Sequence, residues 1–457
     1  MDVVVTLEHR FFRTPDGATW TETQFPNAFW QRYLHVFDGV RIVARAQPVA
    51  EALSHWNRVD GPKVAFHALP YYQGPWQYLK KAKAVRRAVA EAAGTEHAII
   101  MRVHSPIAAL VERRMRGENK PYGVEVVSDP WDVFAPGAFH HPLRWYFRRS
   151  LSAQTKRQCH NAVAASYVTQ HALQRRYPAT NASFQTHYSS VELPPESFVE
   201  APREFDPQNG PLKLITVGAL AQMYKGVDTL IDAVAMARQQ GADVALTIVG
   251  DGKHRGELEE QACRVNCADV IHFAGSLTSG PPVRAELDQA DLFILASRQE
   301  GLPRAMIEAM ARALPCVGTT VGGIPELLAE ENLFAPNDAE ALARRIGELA
   351  SDRSQLNAMS QRNLPLAQQY ADQVLRERRD QYYNAVRQAT QQWLDGSSAR
   401  NPVTAADGRP PTGSRMVTHS LATNGVSMQA NDTVSPVAES AQSAATSTWQ
   451  GAKSCTP

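Results

Sequence analysis

Glu300-Gly301-Leu302-Pro303-Arg304-Ala305-Met306-Ile307-Glu308 is the stretch on which the reading turns. Ahead of it lies Ala290-Asp291-Leu292-Phe293-Ile294-Leu295-Ala296-Ser297, an apolar run of strand length that ends in small and polar residues. Pro303 suits the first turn of a helix carrying Ala305, Met306, Ile307 and Ala309. Glu300 is therefore expected in the loop beyond a strand's carboxyl end, with Glu308 on the helix that follows. In open α/β sheets ligands bind at that edge. Two carboxylates there can accept hydrogen bonds from sugar and ribose hydroxyls. Spacing alone fits a pair of solvated helix-start acids equally well, because the helix dipole favours them.

Around this stretch, residues 212–350 alternate strands with helices. The strands are Leu214–Val217, Ala245–Val249, Val270–Phe273, Leu292–Leu295 and Cys316–Gly318, and the helices are Gly226–Gln240, Lys253–Val265, Pro282–Gln289 and Pro303–Ala313. Such alternation predicts parallel βαβ units in a doubly wound sheet. Residues 1–190 alternate in the same way. Their strands are Val3–Leu7, Val40–Ala44, Lys63–Leu69, Ala98–Val103, Gly123–Val127 and Ala162–Val168, and their helices are Phe29–Phe37, Trp76–Ala93, Ile107–Arg116 and Pro142–Asn161. The fold class expected is α/β, two Rossmann-like doubly wound domains facing each other across a cleft. The domains are placed at 1–195 and 213–365, with a Pro-, Asp- and Gly-rich linker at 196–212. Helices over 366–395 are expected to pack back on the first domain. Residues 396–457, rich in Ser, Thr, Ala, Gly and Pro without apolar periodicity, are expected to be a disordered tail.

Composition narrows the function classes. Lys and Arg number 47 against 46 Asp and Glu, so no global field argues for nucleic acid. No apolar run approaches the ~18 residues of a membrane span, and Met1–Glu8 reads as a first strand, not a secretory leader. The five cysteines are too few and too scattered for a disulfide framework, which points to the cytoplasm. Cys263 and Cys267 are two small helix-region residues with no second pair of ligands for zinc.

Three Gly-containing turns follow successive strands of the second domain: Val217-Gly218-Ala219-Leu220, leading to Lys225-Gly226, then Val249-Gly250-Asp251-Gly252, then Val321-Gly322-Gly323-Ile324-Pro325-Glu326. Each is weak evidence alone. Together they share one rim, where backbone N–H groups, helix dipoles and the Lys225 ammonium suit a diphosphate.

On these motifs, with Ala290-Asp291-Leu292-Phe293 and the Glu300/Glu308 pair, residues 212–365 resemble the nucleotide-sugar-binding half of the retaining glycosyltransferases of family 4. These are glycosyl transferases group 1, with the GT-B fold, of the bacterial exopolysaccharide and glycolipid type. The resemblance implies that Glu300 binds the donor sugar's hydroxyls, Glu308 the ribose and Lys225 the diphosphate. Gly218, Gly250, Gly301, Leu302, Gly322 and Gly323 would line the same donor site. It implies retention by front-face attack, with neither metal nor other cofactor. In the first domain it points to Gly17, in Thr14-Pro15-Asp16-Gly17-Ala18, as a glycine reaching the donor phosphates, although Pro-Asp-Gly also reads as an ordinary turn. Asp129, in Ser128-Asp129-Pro130-Trp131-Asp132, takes the position facing the donor sugar, with Asp132 second. One departure stands out: Ala219 occupies a place where many members carry an arginine, and Arg298 and Arg304 are candidate replacements.

Two aromatic and basic segments remain. Tyr71, Tyr72, Trp76 and Tyr78 lead into Lys80, Lys81, Lys83, Arg86 and Arg87, and Arg144-Trp145-Tyr146-Phe147-Arg148-Arg149 is similar. Such segments suit an anionic membrane surface, or equally a solvated helix with buried aromatics. The function expected is a hexosyltransferase at the inner membrane face that extends a saccharide or lipid-linked saccharide from a nucleotide sugar. A non-catalytic nucleotide-sugar-binding protein, or a transferase making a soluble glycoside or glucan, is the alternative.

Overall fold

The computed structural model describes residues 1–22, 24–94, 96–134, 142–206 and 210–400. The first domain is built from β1 (Val3–Arg13), β2 (Thr19–Thr21), α1 (Asn27–Trp30), β3 (Val40–Pro48), β4 (Asn57–Arg58) and β5 (Val64–Leu69). It continues through α2 (Gly74–Ala92), β6 (Ala98–Val103), α3 (Pro106–Glu118), β7 (Gly123–Val126), α4 (Pro130–Val133), α5 (Arg144–Asn161), β8 (Ala164–Tyr167), α6 (Ala172–Arg176) and β9 (Phe184–His187). The parallel strands lie in the order β5-β3-β1-β6-β7-β8-β9, with β2 and β4 added antiparallel beyond β1. The order reverses between β1 and β6, so that gap is the sheet's switch point. Strands buried on both faces explain the continuous apolar runs Val3–Val5 and Ala98–Met101.

The second domain comprises β10 (Leu212–Val217), α7 (Val227–Gln239), β11 (Val244–Val249), α8 (Arg255–Arg264), β12 (Ile271–Gly275), α9 (Pro281–Gln289) and β13 (Leu292–Leu295). It is completed by α10 (Arg304–Ala311), β14 (Cys316–Thr319), α11 (Ile324–Leu327), β15 (Leu333–Phe334), α12 (Ala339–Ser351) and α13 (Ser354–Gln368). Its parallel order is β12-β11-β10-β13-β14-β15, which reverses between β10 and β13. Both predicted sheets are present.

The chain crosses between domains twice. The 196–212 linker is pinned to the second domain by Arg203, whose guanidinium donates to the carbonyls of Leu287, Ala290 and Arg312. After α13 the chain returns, and Asp372 and Leu193 exchange a backbone and a side-chain hydrogen bond. Beyond α12 the chain thus forms two helices, and of the stretch expected over 366–395 only the part from Asp372 onward packs back on the first domain. α13 stays against α10, and α14 (Asp372–Arg400) packs on the first domain. Tyr382 and Tyr383 of α14 are fully buried there, and a side chain at Gly123 would collide with Tyr382 and Val386. Each tyrosine removes ~150–250 Å² from water, worth about 4–6 kcal/mol before entropy is charged. The helix runs to Arg400, past the expected start of the tail at 396; residues 401–457 lie outside the described residues.

Two local expectations changed. The helix predicted over Phe29–Phe37 is α1 followed by a single 3₁₀ turn, Gln31–Tyr33. Phe25, Phe29 and Trp30 meet edge to face there, and Trp30 stacks on Tyr33. The first strand does not end at Leu7. It bulges, advancing from Thr6 to Arg10 while β3 advances only from Val43 to Arg45, and then runs on to Arg13.

Candidate donor site at the second switch point

The loops after β10 and β13 face each other across the second switch point, and one ion pair spans them. Lys225 ends a 3₁₀ turn after β10; its Nζ lies 2.7 Å from Oε1 of Glu300 in the loop after β13. Ser297 Oγ donates to the same oxygen at 2.6 Å, and the Ser297 carbonyl accepts from Thr319 Oγ1 at 2.7 Å. Glu300 is only 3% exposed. A carboxylate this buried needs charge-assisted hydrogen-bond partners. Because both partners sit on Oε1, Oε2 is left to accept from a hydroxyl.

The glycines are where backbone must approach backbone. Gly226 has φ +67°, and a Cβ there would lie 1.9 Å from the Ala296 carbonyl oxygen. A Cβ on Gly250, at φ +144°, would lie 2.0 Å from the Gly218 oxygen. Gly218 lets the Lys225 stem cross its face, since a Cβ would meet Cγ, Cδ and Cε of Lys225 at 3.3–3.4 Å. Gly322, at φ +60°, backs onto the Glu300 carbonyl, and the Gly323 N–H donates to Gly301 O at 2.7 Å. Gly301 and Leu302 are buried beneath that turn. One surface therefore gathers Gly218, Lys225, Gly250, Glu300, Gly301, Leu302, Gly322 and Gly323, as the sequence placed them.

Glu308 lies on α10, half-buried, and burial raises its carboxyl above the ordinary range against the lowering pull of Arg304 and Arg284. Pro303 caps α10 from outside rather than opening its first turn. Of the two candidate replacements for the arginine missing at Ala219, Arg298 is committed elsewhere. Its guanidinium donates to the Met223 carbonyl, Asp228, Thr229 and Asn337, so it secures the Lys225 loop from behind. Arg304 is exposed at the first position of α10.

The first-domain candidates come out differently. Asp129 is fully buried, not open to a sugar. It caps α4 through the Trp131 N–H at 2.6 Å, accepts from Tyr177 Oη and pairs with Arg176 at 2.9 Å. Burial pushes its carboxyl up to about 7 against the opposing pull of Arg176. Asp132 shares the same arginine at 3.3 Å. Gly17 stands at the tip of the β1–β2 hairpin, its N–H bonded to Thr14 O, because β1 outruns the rim by half its length. The crevice between β1 and β6 holds Glu8 instead, delivered there by the bulge. Glu8 accepts from Ser105 Oγ and the Ile107 N–H and pairs with Arg45 at 2.7 Å. Beside it, His104 shares a 3.0 Å hydrogen bond with Ser128, and burial lowers its ring to about 4, so it is neutral.

Sequence reasoning assigned no role to Ser297, Glu8 or Glu326. Ser297 and Glu326 stood inside quoted motifs, the first closing the strand and the second closing the Gly-Gly turn. Glu8 had no signal, since a bulge leaves no fixed pattern in one sequence. Among the described residues no cluster of His, Cys, Asp or Glu could hold a metal ion. Cys159, Cys267 and Cys316 are buried thiols, and Cys263 lies on α8.

Comparison with known proteins agrees with this layout. Residues 211–352 match the sequence model described as glycosyl transferases group 1. The chain is 28% identical over 331 residues to Protein CapJ of Staphylococcus aureus, covering 70% of this chain and 80% of that one. It is 34% identical over 148 residues to the amylovoran biosynthesis glycosyltransferase AmsK of Erwinia amylovora, spanning 30% of this chain and only 36% of that protein. The structure superposes on a sucrose-phosphate synthase from Thermosynechococcus elongatus with TM-score 0.55 at 17% identity, over 87% of this chain and 100% of that one. Two parallel-sheet domains, the second matched over residues 211–352 by the glycosyl transferases group 1 model, give this chain the GT-B fold.

Proposed function

We propose that this chain is a nucleotide-sugar-dependent hexosyltransferase that retains anomeric configuration and extends a saccharide or lipid-linked saccharide of a surface polysaccharide. The observation that carries the proposal is the Lys225–Glu300 pair across the switch point, walled by backbone that tolerates no side chain. Glu300 Oε2 takes a hydroxyl of the transferred sugar, and Glu308 takes the ribose. Lys225 takes the diphosphate. In the reaction the bond from the anomeric carbon to the phosphate oxygen breaks, and its electron pair stays with the diphosphate. The acceptor oxygen bonds to the same face of that carbon, and its proton passes to the departing phosphate. Lys225 stabilises the charge that develops there. No metal or other cofactor is needed in this scheme. The AmsK relative, named for amylovoran biosynthesis, supports a biosynthetic glycosyltransferase reading.

The membrane reading is part of the proposal. α2 and α5 both start at the first domain's cleft rim, where Trp76 is 78% and Trp145 61% exposed beside exposed Leu79, Leu143 and Tyr146. Lys80, Lys81, Lys83, Arg86 and Arg87 are exposed along α2, whereas Arg148 turns inward onto Trp131. Among the described residues no helix is long and apolar enough to cross a membrane. An anionic bilayer fits this surface.

Transfer from UDP-, GDP- and ADP-hexoses to lipid-linked acceptors, compared between wild type and Glu300→Gln, tests the enzyme. Equal rates in both overturn it. Nucleotide-sugar binding without turnover would favour a non-catalytic binding protein, the reading that Ala219 keeps open. Co-sedimentation with phosphatidylglycerol vesicles is expected to fall when Lys80, Lys81, Arg86 and Arg87 are made Gln, and unchanged binding refutes the membrane contact.

A further inference from the structure

The Gly322-Gly323 turn of the donor site runs directly into α11, and Glu326 of that helix reaches across to the first domain. Its Oε2 accepts from the Gln170 N–H at 2.6 Å, and its Oε1 from the N–H groups of His171 at 3.0 Å and Ala172 at 2.6 Å. One carboxylate thus satisfies three orphan donors at the start of α6. The turn itself touches the same segment. A Cβ on Gly323 would lie 3.3 Å from Thr169 Cγ2, 2.8 Å from Leu302 Cδ1 and 2.9 Å from Gly301 O. At the far end of α6, Arg176 holds Asp129 at the N-cap of α4 and Asp132 on α4, and neighbouring Ser128 holds His104 at the rim.

We propose that Glu326 is a positioning residue, a latch that holds the two domains closed and ties the donor loop to the acceptor-side rim. The proposal rests on the donor-site reading above. Its strength suits a reversible contact. Gln170 and His171 are exposed and Ala172 and Glu326 are half-buried, so water can take over most of these hydrogen bonds when the latch opens. A donor that orders the Gly322-Gly323 turn would place Glu326 for α6 and bring Ser128 and His104 toward the reacting sugar.

The test uses the full chain with Glu326→Ala, Glu326→Gln and Glu326→Asp. UDP binding, or GDP or ADP if a melting screen selects them, is measured by calorimetry. The same samples give acceptor-dependent kcat and small-angle scattering with the nucleotide bound. The Ala and Gln variants are expected to lose ~10- to 100-fold in kcat, the scale of a misplaced reacting geometry. Their radius of gyration should rise while nucleotide affinity stays within about threefold. Glu326→Asp should recover part of the loss. Wild-type kcat and scattering in both neutral variants overturn the latch. So does a loss of nucleotide affinity in proportion to kcat, which would make Glu326 a donor-loop residue only. If the wild type transfers no sugar, the function fails separately, and scattering with bound nucleotide still decides the latch.

Discussion

The two domains answer the same topological problem in different ways. Each has a parallel sheet whose order reverses at one gap, β1/β6 in the first and β10/β13 in the second. The second domain lines its gap with glycine turns on either side and a Lys–Glu pair across it. The first fills its gap with a bulged Glu8 that caps α3 and pairs with Arg45. A crevice with a lysine ammonium across it and close backbone walls suits an anionic ligand. A crevice already occupied by its own ion pair leaves the surrounding loops to shape the partner surface.

Substitutions can break that contrast. The largest effect belongs to Glu300→Gln and Lys225→Ala, each expected to cost ~10²–10³ in kcat, the scale of a lost charge-stabilising group. Glu8→Gln at the other switch point should leave donor KM unchanged, and a donor-KM defect there would erase the distinction. Next come the glycines. Gly250→Ala drives a Cβ into the Gly218 carbonyl and should cost about 2–4 kcal/mol with loss of donor binding. Gly17→Ala, where the nearest atom is a flexible Arg13 tip at 3.8 Å, should cost only about 1 kcal/mol for its positive φ. Equal melting temperatures for the two variants would show that the second domain's crevice is not backbone-walled. Ser297→Ala should reduce kcat about tenfold, since it removes a hydrogen bond to a charged group, and kinetics with KM held apart from kcat would show it.

A pH dependence tests the first domain's buried acid. Burial raises Asp129 to about 7 in the folded state, well above the ordinary aspartate value of 3.8. The folded state therefore binds this proton more tightly than the unfolded chain does. The stability involved is fully present below pH ~4 and declines as pH rises toward 7. Asp129→Asn should flatten that decline, worth a few degrees in Tm. An identical slope in the variant would mean that Asp129 is not the buried acid responsible.

Legibility in the sequence followed the range of the interaction. The 290–308 stretch and the Gly turns were readable because strand length, helix period and positive-φ glycines are local features. Asp129 lay in the expected loop, but the loop's position could not reveal that Arg176 and Tyr177 enclose it. Gly17 was placed by assuming that β1 ends at the rim, and the pairing of Phe12 and Arg13 with β2 and β3 carried the strand past it. Arg298 looked like a stand-in for the missing arginine until its four partners behind the Lys225 loop were known.

By itself the sequence determined two α/β domains, the carboxyl-edge positions of Gly218, Gly250, Glu300 and Gly322, and the proximity of Lys225 to a helix start. Hydrophobic period and turn chemistry operate within a few residues, so they survive without coordinates. Tertiary structure decided that β10 and β13 are neighbours, hence that Lys225 meets Glu300 across 75 residues of chain. It also decided that Glu326 meets α6 across more than 150. Such partners are set by strand order and domain closure, which no local pattern encodes.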